Sequence, residues 1–195
     1  LEIPIKAGAI DINLGCSAFI YGLALGKSLV QTGIAKNVLL LTAETYSKYI
    51  NPDDKSNRTI FGDGAAATII SFGGHIIGDF DLGTDGSGYD VLIVQNGGSR
   101  RTSNRNQEKI LFMDGPEVFN FTINVVPKSI NRILEKHNKK LEDIDLFVFH
   151  QANKFMLDHL RKIIGIPEER FYVNMQEIGN TVSATIPIAL KMAEN

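Results

Sequence analysis

The chain has 195 residues, 44% of them hydrophobic, with a single cysteine and 20 basic against 22 acidic side chains for a formal net charge of −2. That is enough apolar material for one substantial domain or two small ones, and too much for a disordered chain. The near balance of charge, with no long block of one sign, leaves no electrostatic footprint for nucleic acid or an anionic membrane surface.

Apolar runs such as residues 38–41 are too short to cross a bilayer, and the start lacks the basic-then-apolar pattern of a secretory signal. A cytoplasmic location is the expectation. A lone cysteine cannot close an internal disulfide, which agrees with a reducing compartment and leaves Cys16 free for chemistry or for packing. The chain starts at Leu1 and stops at Asn195 inside a helix-like pattern through Val182, Ile186, Leu190 and Ala193, so it reads as a fragment.

In chain order, residues 9–14 alternate in polarity and predict a strand. Gly15, Cys16 and a small-residue-rich helix through Phe19, Gly22, Leu23, Gly26, Leu29 and Val30 follow, with Gly33 as the stop. Residues 38–43 form a continuous apolar run, the pattern of a strand covered on both faces as in a parallel sheet. After a polar loop over 51–58, Phe61, Gly62, Asp63 and Gly64 make a tight turn into a strand over 65–71. Further strands are predicted at 76–80, 91–94 and 110–113, with loops at 83–88 and 96–107. Pro116 and Glu117 mark a helix start, and Val118, Phe121, Val125, Ile130 and Leu134 continue it to Lys136, with Pro127 expected to kink it. A buried strand over 144–149, a turn over 150–153, a helix over 155–164 closed by Gly165 and Pro167, a short strand over 171–173 and a last helix from Val182 complete the pass. Strands alternate with helices, so the class is α/β. Strand, turn and helix with a reactive residue at the turn occur twice, at Cys16 and at His150, a hint of two related halves.

Three residues stand at such junctions. Cys16 sits where a strand hands over to a helix, so backbone N–H groups and the positive helix end are expected to face its sulfur and favour the thiolate, although a buried, inert cysteine would occupy the same pattern. His150 follows the apolar run 146–149, at the strand end where ligand sites of open α/β sheets gather, and a structural histidine satisfied by backbone contacts reads the same way. Asn180, between Gly179 and Thr181, stands at the entrance of the last helix, where capping alone would explain it. Together a thiol, an imidazole and a carboxamide suit chemistry that forms a thioester and then stabilises an oxyanion. A cysteine protease could use the same residue types, and spacing does not separate the two.

The text around these residues resembles the ketoacyl-acyl-carrier-protein synthase III family: Asp11-Ile12-Asn13-Leu14-Gly15-Cys16-Ser17, then Ile60-Phe61-Gly62-Asp63-Gly64-Ala65-Ala66-Ala67, His150-Gln151-Ala152-Asn153 and Gly179-Asn180-Thr181. The resemblance implies a thiolase-like layered αβαβα fold, here partial, with residues 1–80 ending the N-terminal half and 81–195 forming most of the C-terminal half. It implies a homodimer, no cofactor and no metal. The implied reaction is ping-pong: Cys16 takes an acyl group from acyl-coenzyme A, and malonyl-acyl carrier protein loses carbon dioxide and attacks the thioester, with His150 and Asn180 as oxyanion donors. Phe61 would line the acyl pocket, Phe119 and Asn153 would touch the pantetheine arm, and Lys55 would stand where the family has an arginine for the nucleotide end of coenzyme A. Ordinary core packing explains Phe61 and Phe119 equally well. One oxyanion donor of the family comes from a glycine-rich loop beyond the last helix, so the chain alone is expected to be inactive.

Some positions depart from that pattern. Asp54-Lys55-Ser56 replaces Asp-Arg-Gly, which weakens stacking and forked hydrogen bonding. Phe155 stands where carrier-protein-using members often have arginine, and Pro116 replaces a polar residue. These departures keep open a synthase-III-like acyltransferase of a specialised pathway, and a non-catalytic dimerisation subunit is the reading from outside enzymes. Arg100, Arg101, Arg105, Lys109, Lys136, Lys139 and Lys140 read either as a solvated face or as a basic surface for an acidic carrier protein.

Overall fold

The computed structural model describes residues 3–98 and 109–194, so Arg100, Arg101 and Arg105 lie outside the described residues. Helix α1 (Ala18–Gln31) rests on the pair β1 (Asn37–Glu44) and β2 (Gly64–Ser71). The two strands run antiparallel, with Asn37 opposite Ser71 and Glu44 opposite Gly64. Gly22 and Gly26 let the α1 backbone sit down on this pair: a Cβ at either would come 2.6 Å from Leu40 or 2.5 Å from Ile70. Leu39, Leu41 and Ile69, on the other face, are exposed. The expectation of a parallel strand covered on both faces is therefore corrected, because an apolar run reports burial potential and does not fix the direction of its partner.

Two predicted strands are absent. Residues 9–14 have no regular structure, and Ile10 and Leu14 are exposed. The repeated strand-turn-helix unit is thus seen at His150 and not at Cys16. Residues 76–80 are also irregular. Side chains rather than a neighbouring strand hold this stretch and its continuation between α1 and α3 (Gly115–Lys136): Lys27 Nζ donates to the Gly78 carbonyl at 2.7 Å, and Tyr21 to Gly83 at 3.1 Å. Asp81 accepts from Arg132 Nε at 2.9 Å, Arg132 Nη2 at 2.7 Å and Ser129 Oγ at 2.6 Å. Those donors, above all the Arg132 guanidinium, hold the Asp81 carboxyl down at about 2.

Strands β3 (Leu92–Val94) and β4 (Leu111–Met113) pair antiparallel and deliver the chain to α3. The Asp114 side chain caps that helix by accepting from the Glu117 N–H at 3.1 Å. The helix continues across Pro127 as one element. Pro127 still removes the N–H that the Ile123 carbonyl would otherwise receive.

The second core is a parallel pair, β5 (Phe147–Val148) and β6 (Phe171–Tyr172), under α4 (Lys154–Ile164). Phe147, Leu157, Ile166 and Phe171 are buried together, with Phe149 edge-on to Phe171 at 5.0 Å. The Asn153 side chain caps α4 by accepting from the Met156 N–H at 2.8 Å. Buried Gln151 ties the loops after β5 and β6 together: its Nε2 donates to the Phe149 carbonyl, and its Oε1 accepts from the Asn174 N–H, both at 2.8 Å.

From there the chain returns to the first unit. The 3-10 turn Val182–Ala184 packs on β1, and α5 (Thr185–Ala193) packs on β2. No helix among the described residues is long and apolar enough to cross a membrane.

Candidate active site

The turn Val182–Ala184 is met by all three junctions: by the Asn180 side chain, by His150 through Thr185, and by Gly15 immediately before Cys16. Asn180 reaches it through a crossing with the segment before β2. Its N–H donates to the Ile60 carbonyl at 2.8 Å, and its carbonyl accepts from the Gly62 N–H at 3.0 Å, a short parallel bridge between Phe61 and Asn180. Only glycine fits on either side of that crossing. A Cβ on Gly62 would lie 2.0 Å from the Ile178 carbonyl oxygen, and Gly179 has φ +64° with the Ile60 oxygen 2.8 Å from its would-be Cβ.

The Asn180 side chain is buried, and its Oδ1 accepts from the Val182 N–H at 2.8 Å. That fixes the amide orientation and leaves Nδ2 as the free donor. Val182 is fully buried with φ +55°, a left-handed conformation that costs a β-branched residue about 1–3 kcal/mol. The surrounding packing and the Asn180 contact hold it there.

His150 follows β5 and places Nδ1 2.6 Å from Thr185 Oγ1, on the first turn of α5. Burial pushes its pKa down to about 4, against a smaller upward pull from the Val182 carbonyl, so the ring is neutral at physiological pH.

Cys16 is half-buried, two residues ahead of the first helical residue of α1. Val182 Cγ1 lies 3.6 Å from the position a Cβ on the preceding Gly15 would take, which sets the Cys16 loop against the same turn. The expected thiolate is not what this environment favours. Burial pushes the thiol up to about 11, opposed by the backbone N–H of Cys16 and reinforced by the Glu44 charge. Desolvation outweighs the helix end because Cys16 stands outside the first turn, where that field falls off. The folded thiol keeps its proton above the value of 9.0 for a free thiol, so its stabilising contribution is lost as pH climbs from 9 towards 11. Alkylation of Cys16 by iodoacetamide is therefore expected to accelerate about tenfold per pH unit across that window. A rate that levels off below pH 9 would show that burial does not govern the sulfur.

Phe61 is half-buried, its ring 5.1 Å from that of Tyr46. The Tyr46 hydroxyl lies 3.4 Å from the would-be Cβ of Gly15. Burial, then the nearby Cys16 and Glu44, push this phenol up to about 12. Phe119 lies elsewhere on α3, packed on Phe155 at 5.5 Å and His159 at 5.2 Å. Lys55 is exposed at the start of the short helix α2 (Lys55–Arg58), and its own side chain makes no ion pair among the described residues. Sequence reasoning passed over Tyr46, Val182 and Thr185. Thr185 stands five residues past Asn180 in an apolar run, and nothing in its local pattern marks it. Among the described residues, no group of three or more His, Cys, Asp or Glu could hold a metal ion.

Comparison with known proteins places this geometry. The model for 3-oxoacyl-(acyl-carrier-protein) synthase III matches residues 10–86, and that for the C-terminal part of the same enzyme matches 134–195. A beta-ketoacyl-(acyl-carrier-protein) synthase III of Clostridium perfringens is 43% identical over 190 residues, covering 95% of this chain and 59% of the relative. The chain thus spans a little over half the length of the curated relatives it matches. A crystal structure of a 3-oxoacyl-(acyl-carrier-protein) synthase III superposes with a TM-score of 0.93 at 48% identity, over 98% of this chain and 62% of that one. A priming beta-ketosynthase from the R1128 polyketide pathway superposes at 0.82 with 28% identity, over 97% and 57%. The fold is the thiolase-like α/β arrangement of these structures, represented here in part. Both family models apply to one chain, in order, and between them they take in Cys16, His150 and Asn180, so the chain belongs to the 3-oxoacyl-(acyl-carrier-protein) synthase III family.

Proposed function

We propose that the protein catalyses a decarboxylating Claisen condensation that joins an acyl-coenzyme A primer to malonyl-acyl carrier protein and gives 3-oxoacyl-acyl carrier protein, the step that initiates fatty acid synthesis. The observation that carries this is the gathering of a thiol, a neutral imidazole and an oriented carboxamide around one turn. Cys16 loses its proton and attacks the primer thioester. A carbon–sulfur bond to Cys16 forms, and coenzyme A leaves as a thiolate that takes up a proton. Malonyl-acyl carrier protein then loses carbon dioxide. The electron pair left behind delocalises onto the thioester oxygen, where His150 and Asn180 donate hydrogen bonds. The carbanion attacks the Cys16 thioester, a carbon–carbon bond forms, and the Cys16 thiolate departs. Each donor contributes about 3 kcal/mol to lowering the decarboxylation barrier.

In this reading Phe61 lines the primer pocket, Phe119 and Asn153 flank the pantetheine arm, and Lys55 faces the nucleotide end of coenzyme A. Asn153 suits the role because its Oδ1 is engaged in capping α4, which leaves Nδ2 to donate. The halves meet near residue 80. The enzyme works in the cytoplasm as a homodimer without a cofactor, and acyl carrier protein is its partner. A second reading, priming of a specialised pathway, is supported by the likeness to the polyketide priming synthase. The test is mass spectrometry of the full-length protein after exposure to a mixed acyl-coenzyme A pool. An acyl adduct on the Cys16 peptide is expected, and its length separates the two pathways. Turnover without any Cys16 adduct would overturn the proposal.

A further inference from the structure

We propose that Thr185 is a positioning residue for His150: its hydroxyl donates to Nδ1 and so keeps the one proton of the neutral imidazole on Nε2. This rests on the reading of His150 as a neutral hydrogen-bond donor. A neutral ring carries a single N–H, and its location is set by what the other nitrogen meets. Nδ1 meets Thr185 Oγ1 at 2.6 Å. The same Oγ1 lies 3.0 Å from the Val182 carbonyl oxygen, and it has only one hydrogen to give.

Two arrangements follow. With the proton on Nδ1, the ring donates to Oγ1 and the hydroxyl turns to the Val182 carbonyl. Nε2 is then a bare acceptor and can only repel a developing oxyanion. With the hydroxyl turned to Nδ1, Nε2 carries the proton and can donate. The second arrangement leaves no buried group stranded: the Val182 carbonyl, which also pulls on the His150 ring, already accepts from the backbone N–H of Thr185 and needs neither the ring nor the hydroxyl to be satisfied. Thr185 is 2% exposed, so water does not compete for its hydroxyl. Val182 thereby serves both donors at once. Its N–H orients the Asn180 amide, and its carbonyl is satisfied in a way that frees the Thr185 hydroxyl for His150.

The test uses the full-length protein with 15N-labelled histidine, as wild type, Thr185→Ser and Thr185→Val, with His150→Ala to assign the ring signals. The wild type and Thr185→Ser are expected to show the Nε2–H tautomer at neutral pH, with carbon dioxide release from the malonyl substrate within about threefold of each other. Thr185→Val keeps the side-chain shape and loses the hydroxyl. It is expected to remove the bias towards Nε2–H, so that the Nδ1–H tautomer grows with the Val182 carbonyl left as the acceptor beside the ring, and to slow decarboxylation roughly 100-fold, the scale of losing one oxyanion donor. Acyl transfer to Cys16 should stay within about threefold of wild type, a split that simple loosening of the fold would not give. A wild-type Nδ1–H tautomer overturns the proposal, and that measurement decides even if Thr185→Val does not fold. A folded Thr185→Val that decarboxylates at the wild-type rate, while His150→Ala does not, overturns only the role of Thr185. If His150→Ala itself keeps the wild-type rate, the donor role of His150 fails and this inference falls with it.

Discussion

Replacing Cys16 by alanine in the full-length protein is expected to reduce condensation to background and to abolish any covalent acyl-enzyme. Cys16 is the only cysteine among these 195 residues and the only thiol set against the turn that His150 and Asn180 share. The substitution removes one sulfur from a half-buried position and leaves the contacts of His150 and Asn180 in place. Decarboxylation of the malonyl substrate is therefore expected to continue without a partner to attack, with the carbanion quenched by a proton to give the acetyl thioester. Mass spectrometry of the protein and carbon dioxide release measure the two arms separately. An acyl adduct that persists at another residue of Cys16→Ala would remove Cys16 from the mechanism.

The second large effect is expected from the donors. His150→Ala and Asn180→Ala should each slow carbon dioxide release about 10²- to 10³-fold while acylation of Cys16 persists, because neither substitution removes the nucleophile. The two side chains bear on one turn and, in the proposed mechanism, on one target, so the double variant should lose less than the product of the single losses. The neutral state of His150 gives the experiment a pH arm. With the folded ring titrating near 4, decarboxylation should be insensitive to His150 protonation between pH 6 and 8. If His150→Ala abolished acylation and left decarboxylation at the wild-type rate, His150 would be a base for Cys16 and the donor assignment would be wrong.

Much of the helical framework was legible in the sequence. Helices α1, α3 and α4 carry long 3.6-residue periodicity, and α3 begins beside the predicted Pro116 and Glu117. The failed strands at 9–14 and 76–80 share a cause. Local pattern describes which residues suit a strand, whereas a strand also needs a partner elsewhere in the chain, and neither stretch has one among the described residues. The expected thiolate at Cys16 failed for a related reason: a helix end is visible in local sequence, and the burial that pushes the thiol up to about 11 is made by distant residues. Cys16, His150 and Asn180 drew attention because their residue types carry chemistry. Val182 and Thr185 did not, since an ordinary valine in a left-handed conformation and an ordinary hydroxyl acquire meaning only when tertiary contacts bring an imidazole and a carboxamide to them.

The crossing of Phe61 with Asn180 also orders events during synthesis. Cys16 leaves the ribosome long before Asn180 and the turn that packs against its loop are made, an interval of roughly 10–30 s at ordinary rates of elongation. Throughout that interval the sulfur lacks the cover that raises its pKa, so the nascent chain holds a more ionised and more oxidisable thiol than the finished fold does. Closure of the glycine crossing is then the moment at which this cysteine passes from a liability of the growing polypeptide to a sheltered group.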